Sequence, residues 1–234
     1  VKRVERARAA RRMAGRETAV VHRAAALLLE YPTAELLEML PTIRAAVAEV
    51  GEPARAALLA TVDALAGTPL TDLQPRYVET FDLRRRCSLY LTYYAYGDTR
   101  KRGVALVQLK QAFRDAGWEL ADAELPDHLA VLLELASAEG AQEAGLRLLL
   151  EHRAGVELLR LALTDAGSPY AGVLVAVCGT LPPLAGEDRE AVARLAAEGP
   201  PGEDVGLEPF GPPLTAPGAG RPAPVPVSLT GARP

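Results

Sequence analysis

The sequence predicts an all-α protein: a single helical-bundle domain of about eight to ten helices, followed by a disordered C-terminal tail. Three observations carry that prediction. Residues of the AVILMFWYC set make up 49% of the chain, and Ala and Leu dominate them. Both are strong helix formers, because Ala loses no side-chain entropy on entering a helix and Leu loses little. Aromatic residues are only 5%, and β-branched runs are scarce. Finally, residues 198–234 hold ten of the 19 prolines and seven of the 20 glycines, a composition that sustains neither a helix nor a sheet ladder.

The elements follow in order. Val20, Val21, Ala24, Leu27 and Leu28 recur at helical spacing, so periodicity starts near Ala19. Tyr31-Pro32 ends that helix, since the residue before proline is pushed out of the α region. Thr33 caps the next, just ahead of Leu36, Leu37 and Leu40. Pro41 is expected to break or kink it, leaving Ile43 to Val50 as a separate piece. Gly51 stops that stretch. Glu52 to Leu65 then fits a helix with Pro53 in its tolerated first turn. After a break at Gly67 to Pro69, a helix starting near Thr71 or Pro75 ends at Phe81. Leu83 to Tyr96 reads as helix, although its aromatics also suit a strand. Gly97-Asp98 turns the chain into a helix from Thr99 to Ala116, closed by Gly117. Pro126 opens a helix through Leu129, Leu132, Leu133 and Leu135. Ala141 to Thr164 is one long helix, or two with an interruption near Gly155. Pro169 to Cys178 is apolar on nearly every side and reads as buried. A last helix covers Gly186 to Ala197. The domain plan is therefore a basic flexible arm (1–16), a helical domain (17–197) and the Pro/Gly-rich tail (198–234).

Charge is unevenly placed. Residues 1–16 carry seven basic side chains and one acid, +6, which leaves −10 on the remainder of a chain whose net charge is −4. An acidic body repels phosphates, so nucleic acid is not expected as a partner, and a positively charged partner is. A regulator using the basic arm on DNA is the weaker reading. Cys87 and Cys178 are too few for a disulfide framework and read as buried or partly buried thiols. No stretch approaches the roughly 20 apolar residues of a membrane helix, and no secretory signal pattern follows the basic start. The expectation is a cytoplasmic protein with no stable membrane association.

Chemistry leaves little trace. The phosphate loop, the dinucleotide fingerprint and the nucleophile elbow are all missing from the sequence. His22, His128 and His152 are not paired at ligand spacing; His22 and His152 read as surface or boundary residues. No catalytic residue, metal site or cofactor is assigned. Two segments stand out. Glu124-Leu125-Pro126-Asp127-His128-Leu129 places two carboxylates and an imidazole at a helix start. One reading is capping, with Asp127 against the helix dipole. The other is a polar anchor at the rim of a groove. An acid–base pair of Asp127 and His128 in a small helical enzyme lacks a nucleophile or metal partner. In Tyr77-Val78-Glu79-Thr80-Phe81, Tyr77 and Phe81 share one helix face, as core or as groove wall. Tyr90, Tyr93, Tyr94 and Tyr96 add amphipathic area nearby.

In these segments the chain resembles the nitrate reductase delta subunit family, the NarJ-type molybdenum cofactor assembly chaperones. The resemblance rests on Leu27-Leu28-Leu29-Glu30-Tyr31-Pro32, Tyr77-Val78-Glu79-Thr80-Phe81-Asp82 and Ser88-Leu89-Tyr90-Leu91. It continues through Gly97-Asp98-Thr99-Arg100-Lys101-Arg102-Gly103 and ends with Glu124 to Leu129. These stand in family order and cover about residues 20–180. The resemblance implies an all-helical protein that is not an enzyme and acts in nitrate assimilation. It implies a partner, the catalytic (alpha) subunit of respiratory nitrate reductase, bound through its N-terminal peptide and held competent for molybdenum cofactor insertion before membrane attachment. The wider family includes chaperones that read twin-arginine signal peptides. The candidate client-peptide residues are Tyr77, Phe81, Tyr90, Glu124, Pro126, Asp127, His128 and Leu129. Helix-in-groove binding is the physical mode that suits them, with Glu124 and Asp127 orienting basic client residues and His128 lending pH sensitivity.

Overall fold

The computed structural model of the chain describes residues 2–121, 124–184 and 186–198, with the side chains of 2–13 and 188 outside that description. These residues contain eleven α-helices: α1 (Lys2–Leu28), α2 (Ala34–Ala48), α3 (Ala54–Ala66), α4 (Leu70–Tyr77), α5 (Leu91–Tyr96), α6 (Arg100–Asp115), α7 (Leu129–Ser137), α8 (Gln142–Glu151), α9 (Arg153–Asp165), α10 (Ala171–Thr180) and α11 (Glu187–Glu198). A π-turn, Val78–Asp82, follows α4, and a 3-10 turn, Arg85–Cys87, precedes α5. Among the described residues there is no strand, only an isolated antiparallel bridge between Tyr90 and His128.

The C-terminal half of α1, together with α7, α9 and α10, forms the centre. Val21, Ala25 and Leu28 of α1 are buried with Leu132 and Leu133 of α7, Leu159 and Leu163 of α9, and Val173, Leu174 and Val177 of α10. Helix α7 shows what holds the bundle together. Nine residues is below the roughly 12–15 at which an isolated helix becomes even marginally stable. Six of the nine are buried, and each large side chain contributes about 1.5–3 kcal/mol by leaving water. Burial, not propensity, keeps it helical. Two glycines permit close helix crossings. A Cβ on Gly172 of α10 would stand 2.2 Å from the Ala57 carbonyl oxygen of α3, and one on Gly145 of α8 would stand 2.4 Å from Ala136 backbone of α7.

The Thr33 cap is present: its hydroxyl oxygen accepts from Leu36 N at 3.2 Å. Other expectations need correction. Helix α1 runs from Lys2, so the start expected near Ala19 falls inside a helix. Pro41 does not divide α2. It is solvent-exposed, while Leu36, Leu40, Ile43 and Val47 keep one continuous buried stripe on both sides of it. The helix expected across Leu83–Tyr96 begins only at Leu91, because Leu89 and Leu91 exchange backbone hydrogen bonds with the 127–129 segment instead. Residues 141–164 divide at His152, with Gly155 inside α9. His22, expected near the surface, is 1% exposed, and its Nε2 lies 2.8 Å from Thr180 Oγ1. Thr180 already donates to the Val177 carbonyl, so the imidazole is the donor. Burial pushes the His22 pKa down to about 4. Cys87 is buried and Cys178 half-buried, as expected. The tail expected over 198–234 lies outside the described residues, except Glu198, which ends α11.

Candidate functional site

The segment before α7 is built on backbone pairing across the bundle. Leu91 N donates to the Asp127 carbonyl at 2.9 Å, and Leu129 N donates to the Leu89 carbonyl at 2.8 Å. This two-bond clasp sets Tyr90 beside His128, with ring centroids 5.2 Å apart and planes at 70°. It also shifts the helix start. His128 occupies the N-cap position without a side-chain cap bond, and α7 begins at Leu129. The capping role read for Asp127 is therefore corrected, since Asp127 precedes the cap.

Asp127 turns inward. It is fully buried, and its Oδ2 accepts from Thr92 Oγ1 and pairs with Arg102 Nη2 at 3.4 Å. Arg102 also donates through Nε to Thr92 Oγ1 at 3.2 Å and through Nη1 to Asp98 Oδ1 at 3.3 Å. Its guanidinium lies over the Tyr90 ring, 5.5 Å from the centroid. Asp127 Oδ1 is buried without a partner. One carboxylate thus ties the segment before α7 to α5 and α6. As a rim group reaching a client it is corrected: the conformation gives it no solvent face.

The second predicted pair is also internal. Tyr77 and Phe81 are each 6% exposed, with ring centroids 4.7 Å apart, and Tyr170 closes on both at 5.9 and 4.9 Å. The Tyr77 hydroxyl donates to the Leu29 carbonyl at 2.8 Å. Burial raises the pKa of that hydroxyl strongly, and neighbouring Tyr170, Asp82, Tyr90 and Glu30 raise it further.

Among the eight candidates, Tyr77, Phe81, Pro126, Asp127 and Leu129 are buried, His128 is half-buried, and Tyr90 and Glu124 are exposed. Tyr31 and Leu125 are also exposed, and Tyr31 stacks edge-on against Tyr77 at 5.4 Å. The accompanying charge is negative. Glu30 has a raised pKa, first from partial desolvation and then from the carboxylates of Glu134 and Glu124, with Arg23 opposing. Burial lowers the His128 pKa, against the pull of Asp127, so the ring is neutral at neutral pH. Thr92, Arg102, Tyr31, Glu30 and Glu134 were not singled out as site residues. Arg102, Tyr31 and Glu30 stand in the motifs that carry the resemblance, but no local spacing announces their contacts. No group of three His, Cys, Asp or Glu side chains suited to a metal ion occurs among the described residues.

The described residues form an all-helical domain in which exposed Tyr90, its ring against the Arg102 guanidinium, adjoins a buried Asp127–Thr92–Arg102 clasp. The family model described as nitrate reductase delta subunit matches residues 44–176, and the chain belongs to that family. It is 33% identical over 148 residues to a Bacillus subtilis protein described as a probable nitrate reductase molybdenum cofactor assembly chaperone, NarJ, covering 63% of this chain and 80% of that one. It is 40% identical over 161 residues to the nitrate reductase-like protein NarX of Mycobacterium tuberculosis, covering 69% of this chain but only 24% of the relative. The Escherichia coli K12 chaperone NarJ is 40% identical over 111 residues, 46% of this chain and 47% of its own length. The crystal structure of an Archaeoglobus fulgidus protein assigned to redox enzyme maturation superposes with a TM-score of 0.50 at 20% identity, covering 68% of this chain and 90% of that one; this likeness shows the fold.

Proposed function

We propose that this chain is an assembly chaperone for a nitrate reductase, and that it binds the N-terminal segment of the catalytic subunit in the cytoplasm while the molybdenum cofactor is inserted. The observation that carries the proposal is the family membership over residues 44–176, together with a match spanning four-fifths of the Bacillus subtilis chaperone. The geometry supports a binding role and offers little for catalysis. Asp127, the carboxylate next to His128 among the described residues, is locked in an internal ion pair, and the imidazole is held neutral by burial.

In this reading the client lays an apolar helix face on Tyr90, Tyr31 and Leu125. Glu124 and Glu30 receive its basic residues, while Glu134 is already ion-paired with Arg23. Tyr77, Phe81, Pro126, Asp127 and Leu129 hold that face in position from beneath. The same acidic edge suits the paired arginines of a twin-arginine signal, which is the alternative client. Calorimetry with the N-terminal peptide of the nitrate reductase catalytic subunit is the test. Binding that weakens about tenfold in Tyr90→Ala and in Glu124→Gln supports the assignment, a loss of about 1.4 kcal/mol each. No heat change with the wild-type protein sinks peptide binding. Undiminished affinity in a Tyr90→Ala, Glu124→Gln double variant sinks the proposed face while leaving the chaperone role standing.

A further inference from the structure

Helix α6 turns Ala105, Leu109 and Phe113 into the core and leaves the opposite side to solvent. At roughly 100° per residue, the positions farthest from that buried stripe are Arg100, Val104, Val107, Gln111 and Arg114. All of them are exposed. Val104 is 61% exposed and Val107 69%, more than any other large apolar side chain in a helix among the described residues. Single exposed apolar residues are ordinary, but these two stand one turn apart at the crest of one helix. A valine there loses χ1 freedom and regains nothing by burial. The crest runs about 21 Å from Arg100 to Arg114 at the ordinary helical rise.

Charge around the crest breaks a second local preference. The first turn of α6 holds Arg100, Lys101 and Arg102 and no acid, although the helix dipole favours acids there. Arg102 is engaged by Asp127 and Asp98. Arg100, Lys101, Lys110 and Arg114 form no ion pair among the described residues. Two acids lie near the C-terminal end of the helix. Asp115 accepts from Gln111 Nε2 at 2.8 Å, and Glu119 shares a small recess with Lys110, Arg114 and Trp118. Residues 99–118 carry five basic side chains and one acid, +4, within a stretch, 17–234, that sums to −10; the remainder of that stretch is therefore −14. Helix α6 is a basic strip on an acidic protein, opposite in sign to Glu124 and Glu30.

We propose that the crest of α6 is a docking surface for an acidic amphipathic helix of a partner protein, its apolar seam on Val104 and Val107 and its carboxylates reaching Arg100, Lys101, Lys110 and Arg114. The width of the strip selects a helix over a broader anion. A helix with its side chains is about 10 Å across, so it covers the strip alone. A bilayer or a nucleic acid carries negative charge well beyond the screening length of about 8 Å, and so meets the acidic remainder of the protein as well. The surface is separate from the client face. Arg102, which holds the contact to Tyr90, lies on the other side of α6 from the valines, and the client segment proposed above is basic.

The test is amide chemical-shift titration of the full chain with three peptides of about 18 residues, long enough to form a helix. The first carries leucine and glutamate on one helix face. The second has glutamine for every glutamate. The third keeps the first composition, shuffled so that leucine and glutamate no longer share a face. The first should give saturable shifts at Val104, Val107 and Gln111. Affinity should fall about tenfold or more for each of the others, about 1.4 kcal/mol, and several-fold between about 50 and about 300 mM salt. Val104→Gln with Val107→Gln keeps every charge and removes the seam. It should weaken binding about tenfold at a level or raised thermal midpoint, because glutamine is the better helix former. Arg100→Gln with Arg114→Gln should weaken binding as much and flatten its salt dependence. No saturable shift with the first peptide overturns the proposal. So does equal binding of the shuffled peptide, which would be charge attraction without a helix seat. Shifts at the same amides with phosphatidylglycerol vesicles but not with peptide would assign the crest to a membrane, and shifts on raising the protein concentration alone would assign it to a second copy; either overturns the proposal. Catalytic-subunit peptide binding is expected to be unchanged in the double valine variant, and its loss there would overturn the separation of the two faces.

Discussion

Replacing Arg102 by Met removes the cation facing a fully buried carboxylate while keeping most of the apolar stem. Breaking a buried pair by deleting one partner costs roughly 3–5 kcal/mol when both charges are deeply buried. Here the Arg102 side chain is 20% exposed and its Nη2 stands 3.4 Å from Asp127 Oδ2, so water screens part of the interaction. Thr92 still donates to the carboxylate in the variant. The expected loss is therefore smaller, about 2–3 kcal/mol. Asp127→Asn leaves Arg102 near the surface with Asp98 to pair with, so it should cost less, about 1–2 kcal/mol. In the double variant the two losses should not add, with a coupling of about 1 kcal/mol or more. Urea unfolding followed by circular dichroism measures all four corners of the cycle. A loss below about 0.5 kcal/mol for Arg102→Met, or simple additivity in the double variant, would refute the clasp as an energetic unit.

Two further outcomes follow from packing and burial. Gly172→Ala forces a methyl to 2.2 Å from the Ala57 carbonyl and should destabilise by about 1–3 kcal/mol or more, whereas Gly179→Ala, with nothing within 4 Å, should be neutral or stabilising by up to about 1 kcal/mol; thermal melts of the pair decide it. His22 has a folded pKa of about 4 against 6.5 when unfolded, so the unfolded chain binds the extra proton first. Its contribution is fully present above pH 6.5 and is lost as pH falls through 4, up to about 3 kcal/mol. Urea midpoints from pH 7 to pH 4 should fall less steeply in His22→Gln than in wild type; parallel profiles would show that another group carries the acid sensitivity.

Legibility in the sequence tracked how local each cause was. The Thr33 cap, the Gly117 stop and the long α6 follow from a few neighbouring residues, and they stand where the pattern put them. Boundaries failed where distant partners intervened. Pro41 carries a helix-breaking signal, yet Leu40 and Ile43 on either side bury into the same core and hold α2 together. Leu89 to Leu91 reads as helix by composition but spends its backbone groups on Asp127 and Leu129. Among the candidate residues, Tyr90 and Glu124 are on the surface, while Tyr77, Phe81 and Asp127 are interior.

The sequence by itself determined that this is a helical protein of the nitrate reductase delta subunit family, because Ala/Leu periodicity and the ordered motifs are properties of the chain read in line. Only the tertiary structure decided what Asp127 does. A carboxylate before a helix has a local explanation ready in the helix dipole. The partners that took it, Thr92 and Arg102, lie 35 and 25 residues away and meet it only because a two-bond clasp joins the Leu89–Leu91 segment to the start of α7. Desolvation then makes that distant pairing outweigh the nearby dipole, since a buried charge is stable only beside an opposite one.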